Sequence, residues 1–208
     1  MQCEHQLSGT GLSSQRGERL LFEDIAVKVG AGQALQIAGP NGCGKTTLLR
    51  ILCGLVLPLA GEVRWRGRSI TTADCRLRHE LCYLGYAGGV KLELTPRENL
   101  RYLSALQGQH TALSIDEVLE RVELYGFEDV PAYTLSAGQR RRVSLARLLL
   151  SGAPLWLLDE PLTALDQDGA ALAESLMGDH IEAGGVLIFT THQPLTRPPA
   201  RTATLNLG

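Results

Sequence analysis

Apolar and polar positions repeat in two different rhythms along this chain, and the rhythm changes with position. Toward the N-terminus short β-like runs predominate: Leu20-Leu21-Phe22 with Ile25-Ala26-Val27, and later Glu62-Val63-Arg64-Trp65-Arg66, each bounded by turn residues. These runs lie within residues 1–34 and 61–72 and predict an antiparallel β layer. Between them Ala34–Ala38 reads as a short strand and Thr47–Leu52 as a helix. The middle of the chain then takes helical spacing. Over Pro96–Gln107, Leu100, Leu103 and Leu106 are expected on one face, and over Ser114–Leu124, Val118, Leu119 and Val122 form another. From Leu135 onward helix and buried strand alternate: helix Gln139–Leu150, strand Leu155–Leu158, helix Asp168–Glu182, strand Val186–Thr190. That order predicts a parallel α/β core. Pro194, Pro198 and Pro199 predict an irregular tail.

Chemistry enters where the strand Ala34–Ala38 meets the following helix. The run Gly39-Pro40-Asn41-Gly42-Cys43-Gly44-Lys45-Thr46-Thr47 carries the glycines, lysine and hydroxyl of a phosphate-binding loop, in a strand–loop–helix setting. Successive backbone N–H groups of such a loop point at a phosphate, and the helix behind it offers its positive end. Lys45 is placed to reach the β- and γ-phosphate oxygens, and the Thr46 hydroxyl to join a Mg²⁺ shell. ATP or GTP is therefore the first ligand to consider. The apolar strand Leu155–Leu158 ends in Asp159 and Glu160, where a parallel sheet places its ligands. Asp159 is expected to hold the metal, directly or through water, and Glu160 to polarise an attacking water. No Asn-Lys-x-Asp guanine-reading motif follows the loop, which disfavours a GTPase.

Composition narrows the setting. A chain of 208 residues with 44% hydrophobic positions suits one domain with a packed core. A net charge of −2 argues against a nucleic-acid protein held by bulk electrostatics. The five cysteines, at positions 3, 43, 53, 75 and 82, include no C-x-x-C pair and are expected to be reduced thiols. No apolar run approaches the roughly 18 residues of a membrane helix, and no secretory pattern opens the chain. A membrane role is expected to come through a partner.

A third motif gives the resemblance. Leu135-Ser136-Ala137-Gly138-Gln139 stands immediately before an arginine-rich helix and upstream of Asp159, and with it the chain resembles the ATP-binding cassette (ABC) ATPases, whose signature is L-S-G-G-Q. Ser-x-x-Gln is equally a helix-capping box, and the segment can serve both ends. The resemblance implies a P-loop NTPase of the ABC type, with a parallel core sheet, an antiparallel β subdomain and a helical insertion at about 86–150, all in one ATP-binding domain over 1–208. It implies that Ser136, Ala137, Gly138 and Gln139 face the γ-phosphate of an ATP held by a second subunit, in a homodimer that closes on ATP and Mg²⁺. Ala164-Leu165-Asp166 resembles the D-loop, with Asp166 coupling the two sites. His192, after the strand Val186–Thr190, matches the switch histidine and would bond the γ-phosphate or the attacking water. The run Arg140-Arg141-Arg142 reads as a solvated helix face that supports the signature turn.

The stretches Gly126–Pro131, Leu135–Val143 and Thr190–Leu195 are similar to the ATP-binding subunits of the bacterial cytochrome c maturation system. That narrower resemblance implies a peripheral subunit on the cytoplasmic face of the inner membrane, working with a CcmB-like permease and a CcmC-like protein. Its ATP hydrolysis would power release of a haem-loaded chaperone or haem export. The alternatives are an ATP-binding switch with weak hydrolysis, or the ATPase of another ABC transporter. Two positions depart from the ABC pattern. Arg16, 29 residues before Lys45, stands where an aromatic ring usually stacks on adenine; a guanidinium plane can also stack on a base. In Leu84–Val90 the place of the Q-loop glutamine is taken by Ala87, and no glutamine occurs between Gln36 and Gln107. An alanine methyl neither coordinates a metal nor orients water. Nucleotide binding is therefore expected to survive while turnover or its coupling is slowed. Restoring the side chain in Ala87→Gln should raise the ATPase rate measured with the membrane partners present; an unchanged rate would show that Ala87 is not limiting.

Overall fold

A computed structural model of the chain describes residues 5–73, 75–107 and 112–208. Nine strands and six α-helices follow in order among them: β1 (His5–Arg16), β2 (Arg19–Gly30), β3 (Gln33–Ala38), α1 (Lys45–Leu52), β4 (Ala60–Trp65), β5 (Arg68–Ser69), α2 (Leu77–Glu80), β6 (Leu81–Leu84), α3 (Pro96–Gln107), α4 (Ile115–Arg121), α5 (Ala137–Ser151), β7 (Leu155–Asp159), α6 (Gln167–Glu182), β8 (Val186–Thr190) and β9 (Thr202–Asn206). An antiparallel sheet has the order β2-β1-β4-β5, and a parallel one the order β6-β7-β8-β3-β9.

The middle of the parallel sheet, β7 and β8, is buried on both faces, which explains why these two strands are almost unbroken apolar runs. Alternation sorts β7 cleanly between two cores. Leu155 and Leu157 face α1 and the antiparallel sheet, where Leu7, Val27, Leu48, Ile51, Val63 and Trp65 pack. Trp156 and Leu158 face the helical side, with Leu100, Leu119, Val143, Leu145, Leu176 and Met177. α4 and α5 each begin with a reciprocal capping box, Ser114 with Glu117 and Ser136 with Gln139, so both helix starts are fixed by local sequence. α5 ends on Gly152 in the left-handed conformation.

The predicted elements are present, with four differences. The two short runs at residues 20–27 form parts of one long strand, β2, bent at Asp24 (φ 52°). In α3, Leu100 is fully buried but Leu106 is largely exposed; spacing of three residues lags the 3.6-residue turn, so the stripe drifts around the helix toward solvent. The arginine run is not a solvated face: Arg141 and Arg142 are buried, and Arg140 alone of the three supports the signature turn, donating to the Leu135 carbonyl at 2.6 Å. The tail after β8 is irregular only to residue 201; its backbone is pinned where the buried Glu174 carboxylate accepts the N–H groups of Thr196 and Arg197 at 2.9 and 2.7 Å. It then forms β9, an edge strand whose mixed and half-exposed sequence carries no clear alternation. The cysteines at 43, 53, 75 and 82 are free thiols, and burial pushes the Cys53 thiol up to about 11; Cys3 lies outside the described residues.

At the opposite end of the sheet from the phosphate loop, the imidazole of His180 stacks flat on Trp156, with ring centroids 3.9 Å apart. Burial lowers its pKa from 6.5 to about 4, against the opposing pull of the Val186 and Pro154 carbonyls. Between those values the unfolded chain takes up a proton that the folded chain refuses. Its contribution to stability is thus complete above pH 6.5 and is lost as pH falls toward 4, by about 3 kcal/mol for one fully opposed group. Chemical denaturation at pH 7, 6 and 5 should show a shallower loss of stability in His180→Phe, which keeps the stack but has no titrating ring.

Candidate functional site

The C-terminal ends of three adjacent strands assemble the site. Register places Ile37 of β3, Thr190 of β8 and Asp159 of β7 side by side, so the loops leaving these strands begin from one line. From β3 comes the loop of residues 39–44, closed by the Cys43 N–H donating to the Pro40 carbonyl at 3.4 Å. Gly44 sits at φ 109° as the N-cap of α1, and a Cβ there would meet the Phe22 ring at 2.9 Å. Both the backbone and its neighbour exclude other residues. Lys45, at the first position of α1, is buried and donates to the Gly39 and Pro40 carbonyls at 2.8 and 3.1 Å. Asn41 and Gly42 are exposed at the loop's crest, Cys43 is buried beneath it, and Thr47 is partly covered on α1.

The Thr46 hydroxyl donates to Asp159 Oδ2 at 2.8 Å. The Thr190 hydroxyl donates to the other oxygen, Oδ1, also at 2.8 Å, and in turn accepts the Glu160 N–H at 3.0 Å. Asp159 is thereby held at both oxygens, 2% exposed, with hard oxygen ligands beside it. A carboxylate and an aliphatic hydroxyl in contact are the donor types that Mg²⁺ takes. Glu160 occupies the left-handed region at φ 51°, a conformation costing roughly 1–2 kcal/mol for a residue with a side chain. Its Oε2 accepts the His192 N–H at 3.1 Å. Its Oε1 is buried and among the described residues accepts no hydrogen bond, although His192 Nε2 lies 3.3 Å away. A carboxyl oxygen so placed has room to accept a hydrogen bond from a water or hydroxyl.

Other predicted residues lie apart from this cluster. Ser136 caps α5: its hydroxyl accepts the Gln139 N–H at 3.1 Å while Gln139 Oε1 accepts the Ser136 N–H at 2.9 Å. Ser136 and Ala137 are exposed, Gly138 and Gln139 partly so, and among the described residues no hydrogen bond joins 136–139 to the phosphate loop of the same chain. Asp166 caps α6 through the Gly169 N–H at 2.9 Å, and that bond, with Arg142 beside it, holds its carboxyl below the usual range. Arg16 is exposed at the tip of the β1–β2 hairpin, paired across the strands with Arg19. The same hairpin, through Leu21 and Phe22, packs on Gly44. Ala87 is exposed in the turn after β6.

Sequence reasoning missed Thr190, Leu21 and Phe22. Thr190 is visible only as the last residue of a buried strand, and a hydroxyl at that place, adjacent in register to an acid, is its one signal.

A phosphate loop and an acidic strand end on a parallel sheet, joined to a capped signature helix, define the class: an ATP-binding cassette. Residues 22–163 match the ABC transporter family. The Pseudomonas putida (strain KT2440) "cytochrome c biogenesis ATP-binding export protein CcmA" is 49% identical over 202 residues, covering 97% of this chain and 96% of that protein. The protein of the same description from Haemophilus influenzae is 46% identical, with 99% and 96% covered. Among solved structures, a dimeric post-hydrolysis state of an ATP-binding cassette bound to ADP and Pi superposes with a TM-score of 0.78 at 25% identity, covering 90% and 88%. The chain belongs to the ABC transporter family and, within it, to the CcmA group of ATP-binding proteins.

Thr190→Val keeps the shape of the buried side chain but removes both of its hydrogen bonds. Leaving Asp159 Oδ1 and the Glu160 N–H unmet should cost about 1–3 kcal/mol in chemical denaturation, with a parallel drop in ATP turnover.

Proposed function

We propose that this chain is the ATP-hydrolysing subunit of a membrane ABC complex for cytochrome c maturation, powering release of a haem-loaded chaperone or haem export. Hydrolysis is supported most directly by the buried Oε1 of Glu160, which accepts no hydrogen bond among the described residues and lies 3.3 Å from His192 Nε2, next to the metal-type pair Thr46–Asp159. In this reading residues Gly39, Pro40, Asn41, Gly42, Cys43, Gly44, Lys45, Thr46 and Thr47 bind the phosphates, and Lys45 swings from its loop carbonyls to the β- and γ-phosphate oxygens. Thr46 and Asp159 hold Mg²⁺, which when bound neutralises phosphate charge. Glu160 takes the proton of the attacking water, and His192 orients Glu160 and senses the γ-phosphate. Arg16 lies against the base. Ser136, Ala137, Gly138 and Gln139 complete the ATP site of a second copy, with Asp166 coupling the two sites. The exposed signature turn and the dimeric, ADP- and Pi-bound relative support the shared site.

The domain is taken as 1–208, with a helical subdomain at about 86–150. Among the described residues no helix is long and apolar enough to cross a membrane. The reading therefore places the protein peripherally on the cytoplasmic face of the bacterial inner membrane, bound to a CcmB-like permease and a CcmC-like protein, with no nucleic acid involved. Exposed Tyr86, Leu92 and Tyr102, on and beside the helical segment, support docking of the permease there. The maturation role rests on the names of relatives nearly half identical over almost the whole chain. Ala87 favours one second reading, an ATP-binding switch with weak hydrolysis.

Tagged parent and Glu160→Gln proteins, purified from membranes, test the whole reading. The parent should hydrolyse ATP and bring down a CcmB-like permease, while Glu160→Gln should bind ATP, persist as a dimer with it, and lose activity by roughly 10²–10⁴-fold. Equal, negligible rates for the two proteins would favour the switch. A different permease would leave only the ABC class.

A further inference from the structure

Among the described residues Arg141 is the most heavily bonded side chain, and the roles set out above do not use it. It lies in the second turn of α5, 6% exposed, and its guanidinium donates to five backbone carbonyls drawn from two loops. Nε donates to Pro161 at 3.0 Å, and one terminal nitrogen to Asp159 and Glu160 at 3.2 and 2.5 Å. The other terminal nitrogen faces the opposite way and donates to Gly85 and Tyr86, both at 3.4 Å. Among the described residues no carboxylate forms a hydrogen bond or ion pair with it. Burial lowers its pKa to about 10, while the nearby charges of Asp159 and Glu160 pull it upward.

The two sets of carbonyls have different meanings. Pro161, Asp159 and Glu160 form the turn that carries the base, and Glu160 sits there in the left-handed conformation. Its N–H is held by Thr190 and its carbonyl by Arg141, so the guanidinium fixes one of the two peptide planes that set the direction of the Glu160 side chain. Gly85 and Tyr86 open the Q-loop turn, whose glutamine is replaced by Ala87. The same turn is pressed on α5 farther along. Arg147 donates to the Gly88 carbonyl at 2.7 Å, and a Cβ on Gly88 would lie 2.5 Å from the Ser144 hydroxyl.

We propose that Arg141 is a positioning residue for ATP hydrolysis: it holds the Glu160 turn in its working conformation and ties the Q-loop backbone to that turn. A link that a glutamine side chain reaching into the site would supply is made here from the signature helix, through main-chain carbonyls. Movement of α5, which begins at Ser136, then carries the Q-loop turn and the base together. A guanidinium suits the task because its planar fork points donors in opposed directions; a lysine ammonium is a single point and cannot clamp the two loops to each other, so both are loosened. The inference rests on the hydrolytic reading of Glu160.

The test is a double-mutant cycle on the full chain. Arg141→Gln and Arg141→Lys are each made alone and with Glu160→Gln, and kcat, KM, ATP affinity and thermal midpoint are measured, with amide hydrogen exchange across residues 85–90 and 159–163. Alone, each substitution should lower kcat at least tenfold while KM and ATP affinity stay within twofold, and exchange should speed in both segments but not in residues 39–47. In the Glu160→Gln background the same substitutions should change the residual rate less than twofold, because Arg141 acts through Glu160. An unchanged kcat, an equal loss in both backgrounds, or losses of kcat and ATP affinity by the same factor would overturn the proposal. If Arg141→Gln does not fold, Arg141→Lys decides by the same criteria. Should parent and Glu160→Gln show equal rates, the hydrolytic reading itself has failed. Exchange then decides the tie, and unaltered exchange at either segment overturns it.

Discussion

Strands buried on both faces have no polar outlet except at their ends, and at β7 and β8 that constraint organises this molecule. β7 and β8 are buried along their full length, so their first polar side chains, Asp159 and Thr190, appear only at the C-terminal edge. Register sets them side by side, and a hydroxyl and a carboxylate in contact at 2.8 Å satisfy each other there. The phosphate loop leaves the same edge from β3 and contributes Thr46 to the second oxygen of Asp159. Burial and chemistry are thus one problem with one solution. The apolar faces that stabilise the sheet force the hydrogen-bonding groups into the single row where a nucleotide can be gripped.

Most of this architecture is legible in the sequence because its signals are local. Ser-x-x-Glu and Ser-x-x-Gln announce two helix starts, and the reciprocal hydrogen bonds form at both. Unbroken apolar runs announce buried parallel strands, and the glycines of residues 39–44 announce a loop whose backbone must pass close to its neighbours. Where the reading errs, the decisive partner is distant in sequence. Charge alone suggests that Arg141 and Arg142 face water; what buries Arg141 is a set of carbonyls 18 to 56 residues away. β9 has no alternation to betray it and exists because β3 offers a free edge. Leu106 shares the spacing of Leu100 but not its burial, since a three-residue stripe winds off the packed face of a helix.

The site shows the same division. Lys45, Thr46, Asp159 and Glu160 can be named from motifs, and the last three meet in the folded chain. Thr190 cannot be named, because its role depends on lying opposite Asp159 across a sheet. Ala87 is the reverse case: the sequence reveals an absence, and only the fold reveals what surrounds it. The turn that lacks the glutamine is held by arginines from α5 at Gly85, Tyr86 and Gly88. Loss of one side chain therefore does not leave the loop unanchored.

The strand that carries the phosphate loop is flanked by β8 and β9, both of which come late in the chain. β3 ends at Ala38, and its neighbours begin at Val186 and Thr202, so neither edge of β3 can be paired while the intervening helices are being made. Even the Ala38 carbonyl waits for the Leu207 N–H, which it accepts at 2.9 Å. On a ribosome, where domains form as their residues emerge, the helices can gather early, but the grip on phosphate closes last. A nascent chain, or one clipped of β9, would leave an edge of β3 unpaired directly beneath the phosphate loop, so the ordering of the loop's foundation waits on the last strand to be made.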